Sequence, residues 1–247
     1  MFTSGFKQKV ILSGSVLLAS MSVYQSALAH GIYATERQSE NVFVYGHGPS
    51  DELFETEKYK GAVGYDKDGN KIDIETNYKF GYPVIPENDA IVLVSAAYDN
   101  GYWSQQPDEE WVNLPKTEVE GALKGGHYMK YSTTIMSEDY KGGTATNSPL
   151  EIVPLKNPLS LKQGDKLEIQ VLADGKPVAD VEVASEFVTD REKNVVKTDD
   201  EGKATIIIRN LGLNVLATEA KAPLENSPKA DELAKFATLS FTFRADH

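Results

Sequence analysis

Lys166-Leu167-Glu168-Ile169-Gln170-Val171-Leu172 alternates polar and apolar residues almost one for one, and that stretch decides the fold class. A period of two turns successive side chains to opposite faces of a strand, one face for a core and the other for water. Downstream, Asp174-Gly175-Lys176-Pro177 turns the chain and Val181-Glu182-Val183-Ala184 resumes the pattern. Asp200-Glu201-Gly202 turns it again before Ala204 to Arg209. Val215 to Ala220 and Ala237 to Phe243 complete a set of short strands with the spacing of an immunoglobulin-like sandwich. With no cysteine in the chain, the Cys–Trp–Cys core of antibody domains is missing, and only the architecture is implied.

Upstream the pattern stays β. Asn41-Val42-Phe43-Val44-Tyr45 reads as a strand that ends at Gly46-His47-Gly48. Ala62 to Tyr65 and Lys71 to Ile74 flank Asp68-Gly69, a hairpin signal. Ala90 to Ala96 is a continuous apolar run of buried-strand length, and His127 to Met136 reads as a further strand. Sustained helical periodicity is absent, although Asp51 to Lys60 and Ser227 to Lys235 could each hold a helical turn or two. Glu151 to Pro158 carries Pro154 and Pro158, which suits an extended connector. The expected fold is therefore all-β, with two β-sandwich domains at residues 30–151 and 152–247, the second immunoglobulin-like.

Residues 1–29 read as a cleaved secretory signal. Lys7 and Lys9 precede the apolar stretch Val10 to Val23, and Ala27-Leu28-Ala29 offers a small-x-small cleavage site. That stretch is too short for a spanning helix, so no membrane span is expected in the mature chain, and its expected location is the periplasm. The chain has 37 acidic against 25 basic residues and a net charge of −12. A nucleic-acid partner is excluded, because phosphate contacts need a basic footprint. Having no cysteine, the chain has no disulfide framework, thiolate nucleophile or cysteine-type zinc site.

Cleavage after Ala29 makes His30 the first mature residue. Its free amine and its imidazole can chelate one ion together, a donor pair suited to nickel, cobalt, copper or zinc. His47 sits between Gly46 and Gly48, and His127 follows Gly125-Gly126. Flanking glycines allow the bends that a ligand loop needs. His30, His47 and His127 are therefore the candidate metal ligands, a nitrogen set that fits calcium or magnesium poorly. His247, the last residue, reads as a tail. Asp66 to Lys71 resembles the start of a calcium loop, but Asn77 stands where the closing glutamate belongs, and a hairpin explains it better. Asp108-Glu109-Glu110 and Asp199-Asp200-Glu201 read as solvated turns. Tyr98, Tyr102, Trp103 and Trp111 could stack on a sugar, yet sandwich core and rim account for them more simply. The sequence has no G-x-S-x-G elbow, P-loop, dinucleotide fingerprint or H-E-x-x-H, so no enzyme is expected from these motifs.

The signal ending in Ala29-His30, the Tyr45-Gly46-His47-Gly48 strand end, and Pro154, Asn157-Pro158 and Asp174-Gly175-Lys176-Pro177 in that order resemble the DUF4198 family. That family includes a periplasmic component associated with cobalt and nickel uptake. The resemblance implies two β-rich domains and a divalent transition metal, nickel or cobalt, with copper or zinc as alternatives. It also implies a membrane metal transporter as partner, and it matches His30 and His47 to the family's histidine features. Two other readings compete with metal capture. A first-residue histidine with a second histidine resembles the copper histidine brace of oxidative enzymes acting on polysaccharides. A structural or adhesive β-sandwich without metal is the other.

Overall fold

A computed structural model describes residues 30–47, 50–189 and 194–243. The expected signal peptide and His247 lie outside those residues. In the first half the strands are β1 (Gly31–Arg37), β2 (Glu40–His47), β3 (Ser50–Asp51), β4 (Tyr59–Tyr65), β5 (Lys71–Asp73), β6 (Asn77–Lys79), β7 (Tyr82–Val84), β8 (Leu93–Gln105), β9 (Trp111–Val112) and β10 (Lys124–Ile135). The second half holds β11 (Leu150–Pro154), β12 (Lys166–Ala173), β13 (Lys176–Pro177), β14 (Glu182–Ala184), β15 (Val195–Lys197), β16 (Lys203–Ile207), β17 (Leu213–Pro223) and β18 (Glu232–Thr242). The fold is all-β and built of packed sheets. The only helical elements among the described residues are short 3₁₀ turns, and no helix is long and apolar enough to cross a membrane.

The described residues form three sheets. A nine-stranded sheet runs β15-β14-β17-β18-β10-β8-β4-β5, with β9 added to β8. Against one of its faces packs a four-stranded sheet in which β12 pairs with β11, β13 and β16. The alternating face of β12 supplies Leu167, Ile169 and Val171 to the core between them, opposite Leu93, Tyr131 and Leu239. On β8 the next residues, Val94, Ala96 and Tyr98, belong instead to a core with Ile32, Phe43 and Tyr45 of a third, five-stranded sheet. The large sheet is thus a middle layer. The expected boundary at Glu151 falls inside β11, and the nine-stranded sheet draws strands from both sides of it. The join is the parallel pairing of β10 with β18, from Gly126 opposite Glu232 to Ile135 opposite Phe241.

The five-stranded sheet runs β1-β2-β7-β6, with β3 added to β2. Both of its faces are covered, since Tyr33, Val42 and Val44 pack on Val215, Ala217 and Phe236. One edge of β1 pairs with β2, and the other meets hydroxyls rather than a strand. Thr238 Oγ1 donates to the Ile32 carbonyl at 2.6 Å, and Ser240 Oγ accepts from Ala34 N–H at 3.4 Å. Ser132 and Thr134 on β10 bond the same two hydroxyls. Thr238 and Ser240, backed by Ser132 and Thr134, thus pair two backbone groups on this edge of β1 that would otherwise be costly to leave unpaired in the interior.

Of the two segments that could hold a helical turn, only Asp51 to Lys60 does. Ser227 to Asp231 is irregular and β18 starts at Glu232, because its pairing with both β10 and β17 outweighs the helix propensity of Ala, Glu and Leu. Asp51 to Lys60 holds only a 3₁₀ turn at Thr56–Lys58 before β4. The Asp66 loop is the expected hairpin. Asn70 Nδ2 donates to Asp66 Oδ2, and the Asn70 and Asp68 N–H groups donate to Oδ1, bonds that hold the Asp66 carboxyl below the usual range.

Candidate metal centre

Strand register builds the site. β1 and β2 pair antiparallel from Arg37 opposite Glu40 to Gly31 opposite Gly46, so His30 and His47 come next at the open end. Directly opposite residues share a face, and the two imidazole rings lie with centroids 4.5 Å apart. The chain returns as β3, with His47 opposite Ser50 and Gly46 opposite Asp51. Glu52 N–H then donates to the Tyr45 carbonyl at 2.8 Å. That bond sets Glu52 across from Tyr45, on the face that also carries His47.

Glu52 therefore reaches both rings. Its Oε1 lies 2.8 Å from His30 Nε2 and 3.5 Å from His47 Nδ1. One ligand atom from each residue falls within 4.8 Å of the other two. Bonds of about 2.0–2.2 Å to one tetrahedral ion would place such atoms about 3.3–3.5 Å apart. The rings and carboxylate need only a small inward swing. The His47 side chain is 54% exposed and the Glu52 side chain 41%, so an ion can enter from water. Behind the site Tyr45 lies 5.5 Å from the His30 ring and stacks on Tyr98 at 4.9 Å. Burial, then the neighbouring Tyr98 and Glu52, push the Tyr45 hydroxyl far above its ordinary pKa. Tyr45 thus forms the packed floor behind the two imidazoles.

His127 is held elsewhere. Its Nε2 lies 2.8 Å from Asp99 Oδ1, and its ring stacks on Tyr102 at 4.4 Å. Asp99 follows Tyr98, whose ring packs beneath the five-stranded sheet, so strand alternation turns Asp99 to the other face. The glycines before His127 serve close packing rather than a ligand loop. A Cβ on Gly125 would sit 2.6 Å from Lys116 Cγ, and one on Gly126 would sit 2.7 Å from the Tyr128 ring. The third donor near His30 and His47 is Glu52, which the sequence reading missed. Its one available signal was the Gly48-Pro49 dipeptide in the sequence, a composition that favours a turn shortly before it. The aromatic residues considered for sugar stacking are already engaged. Tyr102 has His127 against it and Lys229 Nζ 5.6 Å from its centroid, while Lys124 lies over Trp111.

A family model described as a domain of unknown function (DUF4198) matches residues 28–222. The chain belongs to the DUF4198 family. The match takes in His30, β1 and the strand that carries His47, and ends within β17. This DUF4198 chain is also similar to an uncharacterized protein of Haemophilus influenzae, at 27% identity over 178 residues, or 71% of this chain and 74% of that protein. No solved structure matches it.

Proposed function

We propose that this DUF4198 protein captures a divalent transition ion, nickel or cobalt, in the periplasm for delivery to a membrane metal transporter. The observation that carries the reading is the convergence of His30, His47 and Glu52 at one solvent-facing strand end. Two imidazoles and one carboxylate are the donor set of a borderline ion. The α-amine of His30, released by removal of residues 1–29, would add a fourth donor. A net charge of −12 draws cations towards the molecule without selecting among them.

The test is calorimetric titration of nickel and cobalt into the full mature chain with His30 as its free terminus. Alanine at His30, His47 or Glu52 should each weaken binding by about 10–100-fold or more, at least the scale of losing a supporting group. His127→Ala should leave affinity unchanged, because that ring belongs to Asp99 and Tyr102. A glycine added before His30 should also weaken binding by converting the amine to an amide. Failure of the mature chain to bind either ion would refute the proposal.

The pairing of His30 with His47 also supports a second reading, a copper histidine brace with oxidative activity on a polysaccharide. Copper outcompetes nickel at most nitrogen sites, so affinity alone does not separate the two. Reductant-driven oxidation of a polysaccharide by the copper-loaded chain would favour the enzyme.

A further inference from the structure

We infer that the centre holds nickel and zinc through different atoms, with Glu52 a ligand to zinc but a positioning residue for nickel. This inference rests on the proposed metal-capture reading and adds how the centre tells two ions apart. Glu52 Oε1 lies 2.8 Å from His30 Nε2 and 3.5 Å from His47 Nδ1, so the carboxylate addresses the far nitrogen of the His30 ring. The α-amine of a first-residue histidine is tied by its own covalent chain to the near one. Amine, Cα, Cβ, Cγ and Nδ1 close a compact chelate ring on one ion, whereas Nε2 lies across the imidazole and cannot join it. One imidazole gives one ion one nitrogen. The amine is thus a fourth donor to the centre, yet an ion that takes it with Nδ1 leaves Nε2 and Glu52 to each other.

The two resulting sets suit different ions. Nickel favours square-planar or tetragonal sets rich in nitrogen, and zinc favours tetrahedral sets such as two imidazoles and a carboxylate. The amine chelate with His47 gives nickel an all-nitrogen set. It keeps Nε2 towards Glu52 as the structure shows it, and metal-bound histidines characteristically carry such a carboxylate on the other ring nitrogen. Zinc instead enters among the three side chains, where one ligand atom of each already lies within 4.8 Å of the others. His47 completes either set, because its side chain is 54% exposed and its ring can turn. While residues 1–29 are attached, His30 has an amide in place of the amine, and only the zinc set exists. Their removal adds the nickel set, so processing changes which ion the centre prefers.

The experiment titrates nickel and zinc separately into the full mature chain, into Glu52→Gln and into the chain with one glycine before His30. Gln keeps an oxygen that accepts from Nε2–H but is a poor metal ligand. Glu52→Gln should lower zinc affinity at least about 100-fold and nickel affinity less than about three-fold, since losing a ligand costs at least as much as losing a supporting group. The added glycine should do the reverse, lowering nickel affinity at least about 100-fold and zinc affinity less than about three-fold. Visible absorption of the nickel-loaded chain should shift with the glycine and stay unchanged with Glu52→Gln. Each variant keeps one ion, which shows that it is folded. Equal losses of both ions in both variants would overturn the inference and leave metal capture standing. Nickel affinity that falls with Glu52→Gln as far as zinc affinity does would also overturn it, by making Glu52 a ligand to both ions. So would nickel binding that survives the added glycine. Failure of the mature chain to bind either ion would instead refute metal capture, and this inference with it.

Discussion

Gly31→Ala tests whether the fold positions the candidate metal centre through β1. A Cβ at residue 31 would lie 2.7 Å from Phe236 Cε1, 3.2 Å from Cδ1 and 3.2 Å from Thr238 Cγ2. Ordinary contact begins near 3.4 Å, so the nearest atom is too close by about 0.7 Å. Phe236 cannot swing freely aside, being buried against Phe187 at 5.3 Å with Lys130 Nζ 5.0 Å from its centroid. Overpacking of this kind costs about 1–3 kcal/mol. In a chain of this size each kcal/mol lowers the unfolding midpoint by about 2–4 °C. If β1 yields instead of Phe236, the start of the strand shifts by a few tenths of an ångström. His30 is the next residue, and metal–ligand distances tolerate about 0.2 Å. The expected result is a lowered midpoint together with weaker nickel binding, read by thermal unfolding with and without nickel and by calorimetry. Adding Phe236→Leu to Gly31→Ala should recover part of both losses, because the smaller side chain makes room for the new methyl. Unchanged midpoint and unchanged affinity in Gly31→Ala would refute the claim that Phe236 fixes the start of β1.

Thr238→Val removes the hydroxyl that donates to the Ile32 carbonyl while keeping the side-chain shape; it should cost about 1–3 kcal/mol, since a buried acceptor loses its partner, and denaturant unfolding reads the change. Glu186 is buried, and burial raises its carboxyl pKa above the ordinary 4.5 despite the opposing bonds from Val188, Thr189 and Asn210. A raised value in the fold means that its contribution is full below pH 4.5 and is lost as pH rises through the raised value. The stability advantage of the wild type over Glu186→Gln should therefore shrink from pH 4 towards pH 7, and an advantage that grows over that range would contradict the assignment.

Local pattern made much of the fold legible. The alternation in Lys166 to Leu172 and the Asp68-Gly69 hairpin became strands where expected, and of the apolar run Ala90 to Ala96 the second half, from Leu93, opens β8. What stayed hidden depends on distant partners. β1 carries no strong periodic signal, and its outer edge is satisfied by Thr238 and Ser240, 206 residues away in sequence. β11 resembles a connector because of Pro154, yet that proline closes the strand opposite Ile169, and the chain pairs on through Leu155 N–H to the Glu168 carbonyl. The residues of Ser227 to Lys235 favour a helix locally, and two neighbouring strands override them. At the site, His30 and His47 were legible because one would open the mature chain and the other ends a strand between glycines. Glu52 was not, since its position depends on a turn and a register. The glycines before His127 misled, because in a sequence a glycine that admits close packing reads the same as one that frees a loop.

A metal centre at an open strand end needs rigidity from somewhere, since water surrounds two of its three donors and surface side chains gain little from holding one geometry. Here the backbone supplies it. His47 is fixed by β2, which pairs with β1, β3 and β7. His30 is fixed by β1, which is held by β2 on one edge, by buried hydroxyls on the other and by Phe236 beside Gly31. Glu52 is fixed by its N–H bond to Tyr45, whose ring is stacked on Tyr98 within the core. Each candidate donor thus extends from an element whose own bonds are satisfied inside the protein, which keeps the three side chains close together. The same logic makes His30, which stands one residue outside β1, the candidate donor that depends most on the start of that strand. Changes that loosen the start of β1 should therefore reach the metal centre sooner than changes of equal size in β2.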